Sequence, residues 1–179
     1  TVAGLGTGAI AKVRIPKRNA LGATVWGVNS DGRPFDGCEA CFTLETIRDR
    51  LGEVDHAVIL LASTPATRKV IDRDFLSGLK AGAGVVNLSR GTVLDEAALV
   101  EQIDAGHLRG AVLDVTDPEP PADDSPLFAH PRILLTGHRS WQPPMGNRLA
   151  VEVFIKNLAA FAEGRPAAMV NVVDKSRGY

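Results

Sequence analysis

Three polar residues close three apolar stretches of this 179-residue chain. Arg90 lies in Val86-Asn87-Leu88-Ser89-Arg90-Gly91, Glu119 in Asp114-Val115-Thr116-Asp117-Pro118-Glu119-Pro120, and His138 in Leu134-Leu135-Thr136-Gly137-His138. A guanidinium, a carboxylate and an imidazole at strand exits are what binding and protonating a 2-keto acid requires. Arg90 offers a two-pronged donor for a carboxylate and can polarise a carbonyl. His138 can donate the proton, because an imidazole titrates near neutrality. Glu119, if close to His138, favours the imidazolium and orients the ring. Asp114, at the end of its strand, can hydrogen-bond a cofactor amide. Each residue also has a plainer reading: Arg90 as a helix cap or a partner of Asp95, Glu119 as one acid of an acidic loop, His138 as a surface histidine. Taken together, at strand exits beside a glycine-rich loop, the reactive reading is preferred.

The elements that must position these residues are short β-rich apolar runs alternating with helical patterns. That pattern predicts a Rossmann-like α/β fold, a doubly wound parallel sheet with helices on both faces. Strands are expected near residues 2–5, 23–28, 57–61, 84–88, 110–115 and 133–136, with a weaker one near 40–43. Asp55-His56-Ala57-Val58-Ile59-Leu60-Leu61 and Gly110-Ala111-Val112-Leu113-Asp114 are nearly continuous apolar runs, as strands buried on both faces should be. One helix is expected to start at Asp95 as N-cap, to carry Ala98, Leu99 and Ile103, and to stop at Gly106. Another should run from about Asn147 to Glu163, with Leu149, Val153, Leu158 and Phe161 near one face and Gly164 as its cap. Five prolines between Pro118 and Pro131 mark a rigid connection before the last strand. The division expected is a dinucleotide-binding domain over 1–142 and a C-terminal helix and tail over 143–179.

Gly4-Leu5-Gly6-Thr7-Gly8-Ala9-Ile10-Ala11 opens the first strand-to-helix turn. Such a loop lets backbone amides approach a pyrophosphate at a helix N-terminus. Two registers compete, Gly4-x-Gly6-x-x-Ala9 and Gly6-x-Gly8-x-x-Ala11. The second is preferred, since it leaves a longer first strand and puts Asn29 23 residues after the first glycine, against about 20 for a ribose-binding residue. Gly6, Gly8, Ala9 and Ile10 are then the phosphate-side candidates. Where a carboxylate would favour NAD, this chain has Asn29, followed by Ser30, Asp31 and Arg33. With no acid at that position to repel a phosphate, NAD or NADP is expected, with a lean to NADP; the alternative has Asp31 on the ribose and Arg33 as a solvated charge. Pro16 falls inside the helix that follows, where a proline costs about 3 kcal/mol, and predicts a kink or break.

Composition excludes several classes. A formal net charge of −1 gives no footprint for nucleic acid. No apolar run approaches the roughly 20 residues of a membrane span, and no secretory signal opens the chain. The two cysteines, Cys38 and Cys41, make no disulfide framework. They lack the further ligands of a zinc site, so no metal is expected and they are read as two incidental thiols. A cytoplasmic location follows by default. His56, His107 and His130 are isolated and read as solvated or structural. Thr1-Val2-Ala3 leaves almost no room before the glycines, so the chain is expected to start inside a larger protein.

Thr64-Pro65-Ala66-Thr67-Arg68, Val86 to Gly91, Asp95-Glu96-Ala97-Ala98-Leu99, Asp114 to Pro120 and Thr136-Gly137-His138 resemble, in order and spacing, the D-isomer-specific 2-hydroxyacid dehydrogenases. The resemblance covers essentially the whole chain. It implies that Arg90 binds substrate, that His138 is the general acid–base and that Glu119 is its partner. It also implies that Asp114 holds the nicotinamide carboxamide and that Leu61, Thr67, Leu88 and Ser89 line the cofactor. Trp141 and the ending Asn171 to Tyr179 are similar to the glyoxylate/hydroxypyruvate reductase branch, so the small molecule expected is a 2-keto or 2-hydroxy acid. Gly137 and Ala62 stand where the family usually has proline. The family's second domain, mostly encoded before the glycine loop, is not in this sequence, and the helix after Trp141 looks like the segment that returns to it. Its apolar face is expected to be exposed or paired with another chain, and a homodimer is the assembly foreseen. Two rivals to the enzyme remain: a catalytically silent cofactor module and a dinucleotide-sensing regulator.

Overall fold

Apolar runs too short for helices and too continuous for one-sided sheets become seven parallel strands. The computed structural model describes residues 1–140 and 146–175. The strands are β1 (Val2–Leu5), β2 (Val25–Val28), β3 (Ala40–Phe42), β4 (His56–Ile59), β5 (Gly84–Asn87), β6 (Gly110–Leu113) and β7 (Ile133–Leu135). They pair in the order β3-β2-β1-β4-β5-β6-β7. Strand order therefore reverses between β1 and β4, which sit side by side with Leu5 opposite Ile59. In sheets wound this way, ligands bind beyond the carboxyl ends of the strands at that reversal. The fold is the doubly wound, Rossmann-like α/β architecture expected from the alternating pattern.

Side chains alternate across the sheet and give it two apolar faces. On one face Ala3, Leu5, Trp26, Val28, Ala57, Ile59, Val85, Ala111 and Leu113 form the main core. α2 (Arg73–Gly78) adds Phe75 and Leu76 to it, and α3 (Glu96–Asp104) adds Ala98, Leu99 and Ile103. A 3-10 helix over Thr46–Glu53 contributes Ile47 and Leu51, and the short α4 (Pro126–Ala129) contributes Leu127. On the other face α1 (Ala9–Ala20) packs Ala11 and Ile15 against Val25.

Several strand ends fall one or two residues before their expected limits. The ladder nevertheless continues past them: Gly6 donates to the Val28 carbonyl at 2.9 Å, Leu88 to Ile59 at 3.2 Å and Asp114 to Asn87 at 3.0 Å. Asp95 caps α3 by accepting from the Ala98 amide at 3.2 Å. The break expected at Pro16 does not occur, because α1 runs through it to Ala20. Pro16 and Lys12 both face solvent, so the Lys12 carbonyl that loses its amide partner is open to water.

The chain divides into two compact units, Thr1–Gly137 and His138–Tyr179. The second is built on α5 (Gly146–Ala162). Asn157 ties the tail back onto this helix, donating to the Val170 carbonyl and accepting from its amide, each at 2.9 Å. Leu149, Phe154, Ile155, Leu158 and Phe161 on α5 are all more than half exposed. Trp141 and residues 176–179 of the ending compared above lie outside the described residues. No helix among the described residues is long and apolar enough to cross a membrane.

Candidate functional site

Gly6 stands at the reversal of strand order. Its φ of +108° is open to glycine alone at low cost, and a Cβ there would lie 2.7 Å from the Leu60 carbonyl oxygen. The β1 turn can press against the end of β4 only without a side chain. Gly4, by contrast, lies inside β1. Gly8 precedes the first turn of α1 and has nothing within 4 Å of where a Cβ would stand. Ala11 is buried against β2. This places Gly6, Gly8 and Ala11 at the tight turn, the open approach and the helix–strand contact of the second register. The N-terminus of α1 has no side-chain cap and no acid in its first turn, and Ala9 and Ile10 are exposed there. An uncapped, unneutralised helix start attracts an anion.

Asn29 follows β2. Its Nδ2 donates to the Arg33 carbonyl at 2.9 Å, which fixes the amide and leaves Oδ1 buried with no partner among the described residues. A buried acceptor without a donor is costly, and a ribose hydroxyl would satisfy it. Ser30 is exposed, and the exposed Arg33 guanidinium pairs with Asp31 at 3.2 Å. The residues present therefore fit a dinucleotide: a glycine cradle, a helix start without countercharge and an orphaned acceptor where a ribose belongs.

On the opposite side of the reversal, Asn87 organises the Arg90 loop. It is wholly buried at the end of β5. Its Oδ1 accepts from the Ser89 amide at 3.1 Å and from the Ser89 hydroxyl at 3.0 Å, and its Nδ2 donates to the Arg90 carbonyl at 3.0 Å. The Arg90 side chain is exposed, and among the described residues its guanidinium makes one hydrogen bond, to the Ser89 carbonyl at 2.7 Å. Asp95 does not pair with it; that carboxylate caps α3 and meets Lys69 at 3.6 Å. Leu61 and Leu88 are half-buried at the same edge. Thr67 spends its hydroxyl on its own loop, donating to the Ala62 carbonyl at 2.7 Å and accepting from the Thr64 amide at 2.8 Å. It shapes that loop from within.

No pattern along the chain signals how the Arg90 loop and the Glu119 loop meet. A Cβ on Gly91 would stand 1.9 Å from the Thr116 carbonyl carbon and 2.5 Å from the Asp117 nitrogen. The Thr116–Asp117 peptide fills the place of a side chain. Glu96, in the first turn of α3, accepts from the Asp117 amide at 2.8 Å. Arg68 approaches the Asp117 carboxylate at 3.8 Å. The Thr116 hydroxyl donates to the Pro118 carbonyl at 2.9 Å. Glu119 emerges exposed from this anchored segment. Asp114 is buried at the end of β6 and accepts from the Thr136 hydroxyl at 2.6 Å. The structure thus brings Arg90 and the base of the Glu119 loop together. His138 lies three residues beyond β7 and opens the second unit, with a left-handed φ of +52°. Histidine tolerates that region better than most residues.

Among the isolated histidines, His130 is structural. Its Nε2 meets Asp104 at 3.1 Å and its Nδ1 faces the Arg132 amide at 3.1 Å. His56 sits beside Arg109, 2.8 Å away.

A parallel sheet reversed at a glycine turn, with an uncapped helix start beyond it, defines a dinucleotide-binding α/β domain. The family model described as "D-isomer specific 2-hydroxyacid dehydrogenase, NAD binding domain" matches residues 1–140, and the chain belongs to this family. Among its relatives is glyoxylate/hydroxypyruvate reductase A of Salmonella heidelberg, 33% identical over 147 residues, covering 82% of this chain and 46% of that protein. Among solved structures, a D-isomer specific 2-hydroxyacid dehydrogenase of Xanthobacter autotrophicus in complex with NADPH superposes with a TM-score of 0.89 at 33% identity, over 99% of this chain and 72% of that one. The NADPH-dependent glyoxylate/hydroxypyruvate reductase of Sinorhizobium meliloti in complex with NADP and sulfate gives 0.88 at 30% identity, over 99% and 56%. The chain spans about half the length of the curated relatives it matches.

Two tests follow from this geometry. Gly91→Ala should lower unfolding stability by about 1–3 kcal/mol or more, through overpacking against a peptide that cannot move alone; an unchanged urea midpoint would show that the loops do not meet so closely. Glu96 is the second. Burial, with Asp117 and Asp95 nearby, raises its carboxyl from 4.5 to about 7, against the opposing pull of the Asp117 amide and Lys69. A raised carboxyl favours folding in its neutral form, so its contribution is present below about 4.5 and is lost as pH rises through about 7. Glu96→Gln keeps the acceptor oxygen and should melt increasingly higher than the parent as pH rises across that window. A difference independent of pH would contradict the shift.

Proposed function

We propose that the protein to which this chain belongs reduces a small 2-keto acid, of the glyoxylate or hydroxypyruvate kind, to the D-2-hydroxy acid with NADPH. The observation carrying this reading is the Arg90 guanidinium, held outward by Asn87 and free of any carboxylate among the described residues, in a loop packed against the one that bears Glu119. The bound dinucleotide supplies the hydride. Gly6, Gly8, Ala9 and Ile10 cradle its pyrophosphate, and Asn29 Oδ1 accepts from a ribose hydroxyl. Ser30 and Arg33 take the 2′-phosphate, with Arg33 leaving Asp31. Leu61, Thr67, Leu88 and Ser89 border the ring-bearing end, and Asp114 accepts from the carboxamide.

Arg90 binds the substrate carboxylate with two parallel hydrogen bonds and polarises the keto oxygen. His138, in its imidazolium form, gives that oxygen a proton as the carbonyl carbon is reduced, and in the reverse direction takes it back. Glu119 stabilises the imidazolium and fixes the ring. The NADPH complexes and the reductase activities named for the relatives above support this reading for the family half that the chain represents. Exposed apolar residues along α5 support a homodimer, and two free thiols support a cytoplasmic setting.

The complete protein should oxidise NADPH when glyoxylate is added, and His138→Ala should lower turnover about 10²–10⁴-fold with NADPH affinity little changed. Undiminished turnover would remove His138 from the mechanism. NADPH binding without turnover by the complete protein would favour the silent module. Arg33→Ala should weaken NADPH about 10-fold and leave NADH unaffected; an equal loss for both would take the 2′-phosphate away from Arg33.

A further inference from the structure

We propose that Cys38 and Cys41 form a reversible disulfide site against the glycine-rich loop, oxidised by a small disulfide of the glutathione type. Spacing alone gives these cysteines no role; the fold gives them one. Cys41 lies in β3 directly opposite Gly27 of β2. A Cβ built on Gly27 would lie 3.0 Å from Cys38 Sγ, 3.1 Å from Cys41 Sγ and 3.0 Å from the Thr7 methyl. The two sulfurs therefore share one small space over β2 and cannot be farther apart than those first two distances combined. Thr7, between Gly6 and Gly8 of the glycine turn, closes that space.

Both thiols are free and half-buried, so a small molecule can reach the pair. β3 is a three-residue edge strand paired only to β2, so it can give by the little that a sulfur–sulfur bond of about 2.05 Å needs. One of the two cysteines, as its thiolate, attacks one sulfur of the small disulfide and expels one thiolate. The other cysteine then attacks the protein sulfur of the mixed bond, its proton passing to solvent, and the second small thiol departs. The protein loses two electrons and two hydrogens, and the small disulfide is reduced to two thiols.

The consequence falls on the loop that follows β2. It runs from Asn29 through Ser30 and Arg33 to Cys38 and is held at its far end by Asn19 Nδ2 on the Gly37 carbonyl at 2.7 Å and by the Cys38 amide on Phe35 at 3.0 Å. Joining Cys38 to Cys41 tightens that end and moves the sulfurs in the small space that the Thr7 methyl also borders. Oxidation should weaken dinucleotide binding severalfold. This consequence rests on the dinucleotide reading above; the disulfide itself does not.

The test is incubation of the full chain with oxidised glutathione, then alkylation, intact mass and NADPH titration. The parent should lose both alkylatable thiols and two hydrogens of mass, reversibly on adding a reducing thiol. Cys38→Ser and Cys41→Ser should each stop at a glutathione adduct on the remaining cysteine. NADPH should bind the oxidised parent severalfold more weakly than the reduced one. The Cys38→Ser/Cys41→Ser double variant should not respond to oxidant. A parent that keeps both thiols, or that accumulates glutathione adducts without an internal bond, overturns the site. Equal NADPH affinity in the two states overturns the coupling. Failure of the reduced chain to bind NADPH removes the dinucleotide reading instead and leaves the mass result standing.

Discussion

Gly91 has no side chain because a peptide plane of another loop occupies that space, and the placement of the reactive edge depends on this contact. Arg90 precedes the contact by one residue and Glu119 follows it by two. The Thr116–Asp117 peptide is held from three directions: by Gly91 beneath, by the Glu96 carboxyl on the Asp117 amide, and by Arg68 on the Asp117 carboxylate. Two loops from neighbouring strands are thus held against each other. That matters for the chemistry proposed above, in which Arg90 and Glu119 act together, because catalytic groups must be held to within a fraction of an ångström by atoms that are themselves held. The Asn87 side chain does the same within the Arg90 loop, accepting twice from Ser89 and donating once to Arg90.

A second close approach, of Gly6 to the Leu60 carbonyl, governs the cofactor side. It lets β1 and β4 end flush at the reversal of strand order. The start of α1 and Asn29, with its buried and orphaned oxygen, then lie at the same sheet edge. The Gly6 contact lies at that reversal and the Gly91 contact on its β5–β6 side, one shaping where a dinucleotide would rest and the other where an acid would be gripped. Both are backbone against backbone, and so tolerate no larger residue.

Much of this was legible in the sequence, and the limits have physical causes. Continuous apolar runs such as His56 to Leu61 announce buried parallel strands, and Asp95 and Gly106 announce the ends of α3 correctly to within a residue or two. The limits expected for β5 and β6 are slightly long because the hydrogen-bond ladder continues past the strands, as the amides of Leu88 and Asp114 show. Pro16 misled because its cost falls on one solvated carbonyl, which is visible only once the exposed face of α1 is known. The contacts of Gly91, the tether of Glu96, the unmet oxygen of Asn29 and the meeting of Cys38 with Cys41 are non-local. No pattern along the chain encodes them. Arg90 and the Glu119 loop are seen to meet, while His138 belongs to the second unit and its role stands on the family resemblance and the proposed chemistry.

In the function proposed above, the edge at the strand reversal holds a dinucleotide. Backbone amide shifts of the isotopically labelled chain, followed through a titration with NADPH, address it most directly. The largest saturable shifts should fall at Gly6, Thr7, Gly8, Ala9 and Ile10 and at Asn29, Ser30 and Arg33, with smaller ones at Leu61, Leu88 and Ser89. Saturable binding that leaves these amides unmoved while shifting others, or no binding at all, would contradict the account.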